Sequence, residues 1–232
     1  MPRLSGYLPL MSKRALVIGA SGGVGSALAA GLEERGYSVR PLSRSEDGFD
    51  ITDEARVDEL LRQETGPYEL ILIATGGLEV EGAPPEKSLR AVRAKSMQDQ
   101  FAVNTIGPAL ILRHASRLLP RADRSVIAAL SARVGSISDN RLGGWVSYRA
   151  AKAALNQVIR TAAIELSRTH PKSICVSLHP GTVETGLTRK YLSRHPAVPP
   201  AQAATNLLQV IDGLTPPDTG QFFDWAGKRV EW

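Results

Sequence analysis

Hydrophobic residues in this chain gather into short, nearly unbroken runs, and between the runs the apolar positions spread out to helical spacing. Lys13–Gly19 (KRALVIG), Tyr37–Ser43, Glu69–Ala74 (ELILIA), Ser125–Leu130, Ile174–Leu178 and Gly220–Asp224 have strand length. Runs of this kind fit strands buried on both faces of a parallel sheet. Phe49–Ile51 is predicted as the stub of a further strand. Helices are predicted over Val24–Arg35, closed by Gly36, and over a segment carrying Leu60 and Leu61 that Thr52 or Asp53 caps. Three more cover Ser96–Leu119, Val146–Ser167 and Ala201–Leu214. Strands alternating with helix-length segments imply right-handed crossovers. The expected fold class is α/β: a single-domain, Rossmann-type doubly wound parallel sheet with helices on both faces. No linker divides the 232 residues, so 13–232 reads as one domain behind a loose tail, 1–12. Gly186–Pro200 has no clear period and reads as a loop.

Composition narrows the function classes. No stretch approaches the ~20 continuous apolar residues that a membrane-spanning helix needs, and the interrupted N-terminus does not read as a signal peptide. One cysteine, Cys175, cannot make an internal disulfide, so a reducing, cytoplasmic setting is expected. The net charge of +5 comes from scattered residues, without basic runs or interleaved aromatics. That argues against nucleic acid and leaves a solvated surface with one anion site.

The anion site has a place. The first strand runs into Gly19-Ala20-Ser21-Gly22-Gly23-Val24-Gly25 and then a helix. Glycines let a phosphate approach the N–H groups at the helix start, where the helix dipole favours negative charge. No Lys-Ser/Thr pair follows, so this is not a Walker loop, and the glycine spacing departs from G-x-G-x-x-G. By itself such a loop is also compatible with a βα turn that holds no ligand. The second strand ends Ser43-Arg44, a small hydroxyl followed by a guanidinium that can hold a 2′-phosphate, which favours NADP(H) over NAD(H). Glu46 and Asp47 nearby are the argument against it.

Tyr148 and Lys152 lie at i and i+4 on one helix, one turn apart on one face. A free phenol has a pKa of about 10 and a lysine of about 10.4, so neither carries protons readily at neutral pH. An ammonium close to the phenol lowers the phenol's pKa and makes a tunable acid/base for a carbonyl oxygen. Pro108 follows Asn104 by four residues; it has no N–H, and its ring pushes away the carbonyl four residues back. The Asn104 carbonyl is therefore predicted to be free for water, at a kink beside Gly107.

Taken together, Gly19–Gly25, Asp50-Ile51, Asn104, Tyr148/Lys152 and Pro180-Gly181-Thr182-Val183-Glu184-Thr185 resemble the short-chain dehydrogenase/reductase family from Lys13 to the C-terminus. GSISDNRLGGW and FDWAGKRVEW look like the branch of C-factor and sniffer-type carbonyl reductases. The resemblance implies Tyr148 as proton donor, Lys152 on the nicotinamide ribose and Asn104 holding a water. Asp50 and Ile51 would flank the adenine, while Pro180, Gly181, Val183 and Thr185 would receive the nicotinamide end. Ala74-Thr75-Gly76-Gly77 stands where the family has Asn-Asn-Ala-Gly; its small residues still admit cofactor. Gly186–Pro200 would be a substrate lid. The implied partners are a small carbonyl or alcohol substrate and further copies of the chain, as a homodimer or homotetramer built on the two long helices. Ala150, Ala151 and Ala154 would allow close approach there, or else pack on the sheet. A nucleotide-binding signalling protein with little turnover is the other reading.

One stretch departs from the resemblance. The family strand ends Ser-Ser-x-x-Gly, and its second serine bonds the substrate carbonyl. Here Gly135 sets the register and Ala132 occupies that place. Either Ser131 turns toward the nicotinamide, which is the expectation adopted, or Ser136 or a water substitutes.

Overall fold

The computed structural model describes residues 12–186, 188–190 and 197–232. Except for Ser12, the predicted tail lies outside the described residues, as do 187 and 191–196 of the predicted lid. Six parallel strands form one sheet: β1 (Arg14–Ile18), β2 (Ser38–Leu42), β3 (Leu70–Ile73), β4 (Ser125–Leu130), β5 (Ser173–His179) and β6 (Phe222–Asp224), in the order β2-β1-β3-β4-β5-β6. The order reverses between β1 and β3, which opens a crevice at the carboxyl ends of the strands, the place where doubly wound sheets bind ligands.

Strand side chains alternate between two apolar layers. Ile71, Ile73, Ile127, Ala129 and Cys175 pack against α3 (Glu54–Gln63), α5 (Gly107–Leu112) and α7 (Val146–Ser167). Val17, Leu72, Val126, Ala128 and Val176 pack against α1 (Gly23–Glu34) and α8 (Pro200–Gly213). Both faces are covered, which is why the strands read as continuous hydrophobic runs. No helix among the described residues is long and apolar enough to cross a membrane.

Two local expectations are corrected. Residues 49–51 form no strand. A short helix α2 (Arg44–Asp47) ends on Gly48 in the left-handed region (φ 64°). Asp50 then closes a turn by accepting the N–H of Thr52 at 2.9 Å and its hydroxyl at 2.7 Å. The local side-chain bonds displace a strand ladder, although Phe49 and Ile51 remain buried in the core. The long helix predicted from 96 to 119 is also divided. It comprises α4 (Ala94–Phe101), a π-type turn over Ala102–Ile106, α5, and a last short piece α6 (Ala115–Leu118). The Gly107 N–H reaches back to the Ala102 carbonyl, one residue further than in an α-helix. The break falls immediately before Pro108, where a proline is expected to disrupt the ladder.

Candidate active site

The π-type turn aims consecutive side chains in different directions. Asn104, fully buried, accepts the Gly77 N–H at 3.1 Å and donates to the Gly77 carbonyl at 2.9 Å and to Gln100 Oε1 at 2.7 Å. Gln100 in turn donates to the Leu78 carbonyl at 2.8 Å. Two amides four residues apart thus hold the loop after β3 as a strand neighbour would. Thr105 faces the opposite way and donates to the Ala151 carbonyl of α7 at 2.7 Å. One turn of helix therefore ties the loop after β3 to the element that carries Tyr148 and Lys152. Ala151 is fully buried, so it packs inward, while Ala150 and Ala154 stay half-buried.

Lys152 lies beneath this loop. Its Nζ donates to the Leu130 carbonyl at 2.9 Å and stands 5.9 Å from the Tyr148 ring centroid. A Cβ at Gly76 would come within 3.3 Å of that nitrogen and 3.0 Å of Asn104 Oδ1, and Gly76 has φ +152°. Only glycine lets the chain pass so close to the lysine. Burial lowers the Lys152 pKa to about 7 and raises that of Tyr148 above the ordinary phenol value. The expected lowering of the phenol is thus not present. Desolvation outweighs an ammonium that points to Leu130.

A clamp that sequence reading missed fixes the start of α7. Glu86, 7% exposed, accepts both the backbone N–H of Ser147 at 3.1 Å and its hydroxyl. Its own carbonyl accepts the Trp145 N–H at 2.5 Å. Burial pushes the Glu86 carboxyl up, but the Ser147 bonds outweigh that and keep it below the usual value. A carboxylate at a helix start also meets the positive end of the dipole. The chain enters α7 through Trp145, a non-glycine residue at φ 52°, whose ring meets Tyr148 edge-on with centroids 6.3 Å apart.

The end of β4 is arranged differently from the expectation. The Ser131 hydroxyl does not turn to the cleft; it donates to Asn156 Oδ1 of α7 at 2.7 Å, and Ser131 is 4% exposed. Ala132 continues in extended geometry (φ −142°, ψ 144°), so its methyl points to the other side of the strand. Ser136 is engaged in its own loop, accepting the Asp139 N–H at 3.1 Å. His179, at the end of β5, is held to a pKa of about 4 by burial, with Arg133 adding to the shift and Asp224 opposing it. It is therefore neutral near pH 7 and no acid.

The structure brings the remaining predicted residues to the same edge. Gly22 caps α1 without a side-chain bond, leaving the first turn to the backbone. A Cβ on Gly25 would lie 2.2 Å from the Gly19 carbonyl oxygen, so this loop tolerates no side chain there. The position of Gly23 abuts Thr185, whose methyl would be 2.8 Å from an added Cβ. The Gly19–Gly25 loop, with Ser21 and Val24, and the 180–185 loop therefore touch. Thr185 pairs with Thr188 through their hydroxyls (3.3 Å), and the Val183 carbonyl accepts from Thr188. Lys190 reaches across to Glu79 at 2.7 Å. Pro180 and Gly181 follow His179, and Gly181 (φ +78°) packs close to Trp225.

At the other end, Ser43 caps α2 by accepting the Glu46 N–H at 3.2 Å. Arg44 is exposed beside Asp50, whose carboxyl the Thr52 bonds and then Arg44 hold below its usual value. Asp47 is neutralised by Arg40 at 3.1 Å and accepts the Ser43 N–H at 2.8 Å. Ile51 is buried against the helix at Gly107.

The residues fit a dinucleotide. The glycine cradle excludes side chains, and Thr75 Oγ1, next to Ala74 and Gly76, is buried with no hydrogen-bond partner among the described residues. A buried hydroxyl of that kind is costly unless a ligand or water completes it.

The chain belongs to the short chain dehydrogenase family, which it matches over residues 13–195. It is 28% identical over 232 residues to 1-hydroxy-2-glutathionyl-2-methyl-3-butene dehydrogenase of Rhodococcus sp. (strain AD45), covering 94% of this chain and 98% of that protein. It is 33% identical over 172 residues to C-signal of Myxococcus xanthus, covering 72% of this chain and 95% of that one. Its fold is similar to the crystal structure of a short-chain dehydrogenase/reductase from Burkholderia multivorans with bound NADP, at TM-score 0.79 and 23% identity, covering 95% and 100% of the two chains.

Proposed function

We propose that this oxidoreductase interconverts a carbonyl compound and its alcohol with NADP(H), with Tyr148 as the general acid/base. The observation that carries this reading is the convergence of Tyr148, Lys152 and the Asn104-held loop at the carboxyl edge of the sheet. NADPH supplies a hydride when bound. The backbone N–H groups at the start of α1, beside the Gly19–Gly25 loop, would take its pyrophosphate. Arg44 and Ser43 would take the 2′-phosphate, and the pairing of Asp47 with Arg40 removes a carboxylate that would repel it. Thr75, Asp50 and Ile51 would line the adenosine side, and the 180–185 loop the nicotinamide side.

Tyr148 donates its phenolic proton to the substrate oxygen in reduction and takes it back in oxidation. Lys152, as ammonium, would bind the nicotinamide ribose hydroxyls and stabilise the phenolate. Asn104 has its side chain locked on Gly77, and its carbonyl, four residues before Pro108, would be the water site. In this reading the chain works in a reducing compartment as a homo-oligomer. NADPH oxidation followed with a panel of aldehydes, ketones and quinones tests the proposal. Turnover that disappears in Tyr148→Phe supports it, and equal turnover in that variant refutes the acid role. The likeness to C-signal favours a second reading, nucleotide binding in signalling with little turnover. Tight NADPH binding with every carbonyl ignored would select it.

A further inference from the structure

We propose that Asp224 is a positioning residue: through its ion pair with Arg133 it sets the spacing between the helix that carries Tyr148 and Lys152 and the loop at Pro180 and Gly181. The proposal rests on Tyr148 acting as the acid and on that loop receiving the nicotinamide, as argued above. Asp224 ends β6, at the edge of the sheet, yet it is 5% exposed. Its Oδ1 accepts the backbone N–H groups of Ala226 and Lys228, each at 3.0 Å. Trp225 lies between these residues and packs on Gly181, where an added Cβ would come within 3.0 Å of Trp225 Cδ1. The other carboxylate oxygen, Oδ2, accepts from Arg133 Nη2 at 3.0 Å. Arg133 stands in the turn after β4, so the pair passes over the end of β5. There His179, the register partner of Asp224, is neutral near pH 7 and brings no second positive charge to the carboxylate. The Arg133 end leads to α7. The Gly135 N–H closes the turn on the Ala132 carbonyl at 2.8 Å, and a Cβ on Gly135 would meet Lys152 Cβ at 2.8 Å. Asn156 Nδ2 donates to the Gly135 carbonyl at 3.4 Å. The turn is thus seated on α7 at Lys152, one helical turn from Tyr148. Further along the same loop the Ser138 N–H donates to the Trp232 carbonyl at 2.9 Å, so residues 222–232 hold the loop at a second point.

A charge pair is a poor way to add stability at such a place. Taking a carboxylate and a guanidinium out of water offsets most of their attraction. What the pair adds is direction, because the planar guanidinium meets a carboxylate in few orientations. Arg133 also approaches Asp139 at 3.4 Å, but both of those side chains are nearly half exposed, and surface pairs of that kind contribute little. Asp224 is the buried, backbone-bonded end, so it decides where Arg133, and with it the turn at Lys152, can sit. A carbonyl group must receive hydride at its carbon and a proton at its oxygen in one geometry. A displacement of about 1 Å between the two sources can cost about 10²-fold in rate.

The test measures kcat for NADPH oxidation with 9,10-phenanthrenequinone, counted per NADPH-binding site, in the parent, Asp224→Asn, Arg133→Met, Arg133→Lys and the Asp224→Asn, Arg133→Met double variant. Asp224→Asn keeps an oxygen for the Ala226 and Lys228 N–H groups and loses the charge that holds Arg133. It and Arg133→Met should each lower kcat per site by about 10–10²-fold while the Kd for NADPH stays within about threefold. Arg133→Lys should recover part of the loss. The double variant should fall no further than the worse single variant, as expected for one shared interaction. Asp139→Asn should keep the parent rate, and a loss there equal to that of Asp224→Asn overturns the proposal. A role confined to stability would lower the number of binding sites and leave the rate per site unchanged, and that result overturns it too. So do losses that multiply in the double variant. Should Asp224→Asn not fold, Arg133→Met, altered at the half-exposed end of the pair, decides alone. Absence of NADPH oxidation by the parent with quinone, aldehyde and ketone alike overturns the reductase reading on which the proposal rests.

Discussion

The amino end of α7 and the carboxyl end of β4 meet at Lys152, and their hydroxyls are deployed in opposite ways. At the start of α7, Ser147 is clamped by Glu86, and the Thr105 hydroxyl grips the Ala151 carbonyl, so the helix is pinned on either side of Tyr148. At the end of β4, the hydroxyls of Ser131 and Ser136 both bond inward, and the residue between Ser131 and the next turn is alanine. One segment pins the residue proposed as the acid. The other has turned its polar groups into scaffolding. In the proposed mechanism, the hydroxyl that would transfer a proton and the hydroxyls at the end of β4 are therefore held in different ways.

The sharpest way to break that contrast is to remove the acid. Tyr148→Phe should lose about 10²–10⁴-fold in kcat, the usual contribution of a positioned general acid, in steady-state NADPH oxidation with phenanthrenequinone. Retained turnover would mean that the pinned helix end carries no chemistry. Removing the clamp comes next. Glu86→Ala leaves the Ser147 N–H and hydroxyl without their acceptor and should cost about 1–3 kcal/mol in denaturant unfolding. It should also lower kcat more than it changes KM, with partial rescue by Glu86→Gln, which keeps an acceptor oxygen. Because the folded carboxyl is held below its usual value, its contribution is present at neutral pH and fades as pH falls through that lowered pKa.

A smaller effect concerns Lys152. Its amine is held near pKa 7 by burial, whereas a ligand that takes hydrogen bonds from the ammonium prefers the protonated form. Affinity for NADPH should therefore be full below about pH 7 and decline above it, by up to about tenfold per pH unit. Calorimetric titration across pH 6–9 would show a slope in the parent that is reduced in Lys152→Met. Equal slopes would show that the lysine does not meet the cofactor.

Much of this architecture is legible in the sequence, because a sheet covered on both faces writes itself as apolar runs between helical spacings. Residues 49–51 misled because Phe49 and Ile51 are buried as a strand's would be, while the Asp50 turn and left-handed Gly48 decide the backbone. Pro108 announced the distortion at Asn104, but not that it would take the form of a π-type turn. The Gln100/Asn104 pair carried a readable signal, two amides at i and i+4 beside the expected kink. Glu86 carried none. It stands 61 residues from Ser147 in a loop without periodicity, and only the folded chain brings the two together. At β4, strand alternation already sets Ser131 and Ala132 on opposite faces. What the sequence could not supply was the partner, Asn156, that keeps Ser131 turned inward.

The central claim is hydride transfer to a carbonyl carbon with Tyr148 giving the proton. Deuterium on C4 of NADPH, followed by mass spectrometry into the alcohol formed from isatin, an α-dicarbonyl, tests it most directly. One deuterium at the carbinol carbon in the parent, and almost none formed by Tyr148→Phe over the same time, is the expected result. NADPH bound in the cleft with no label reaching isatin, or label transferred equally by Tyr148→Phe, would contradict it.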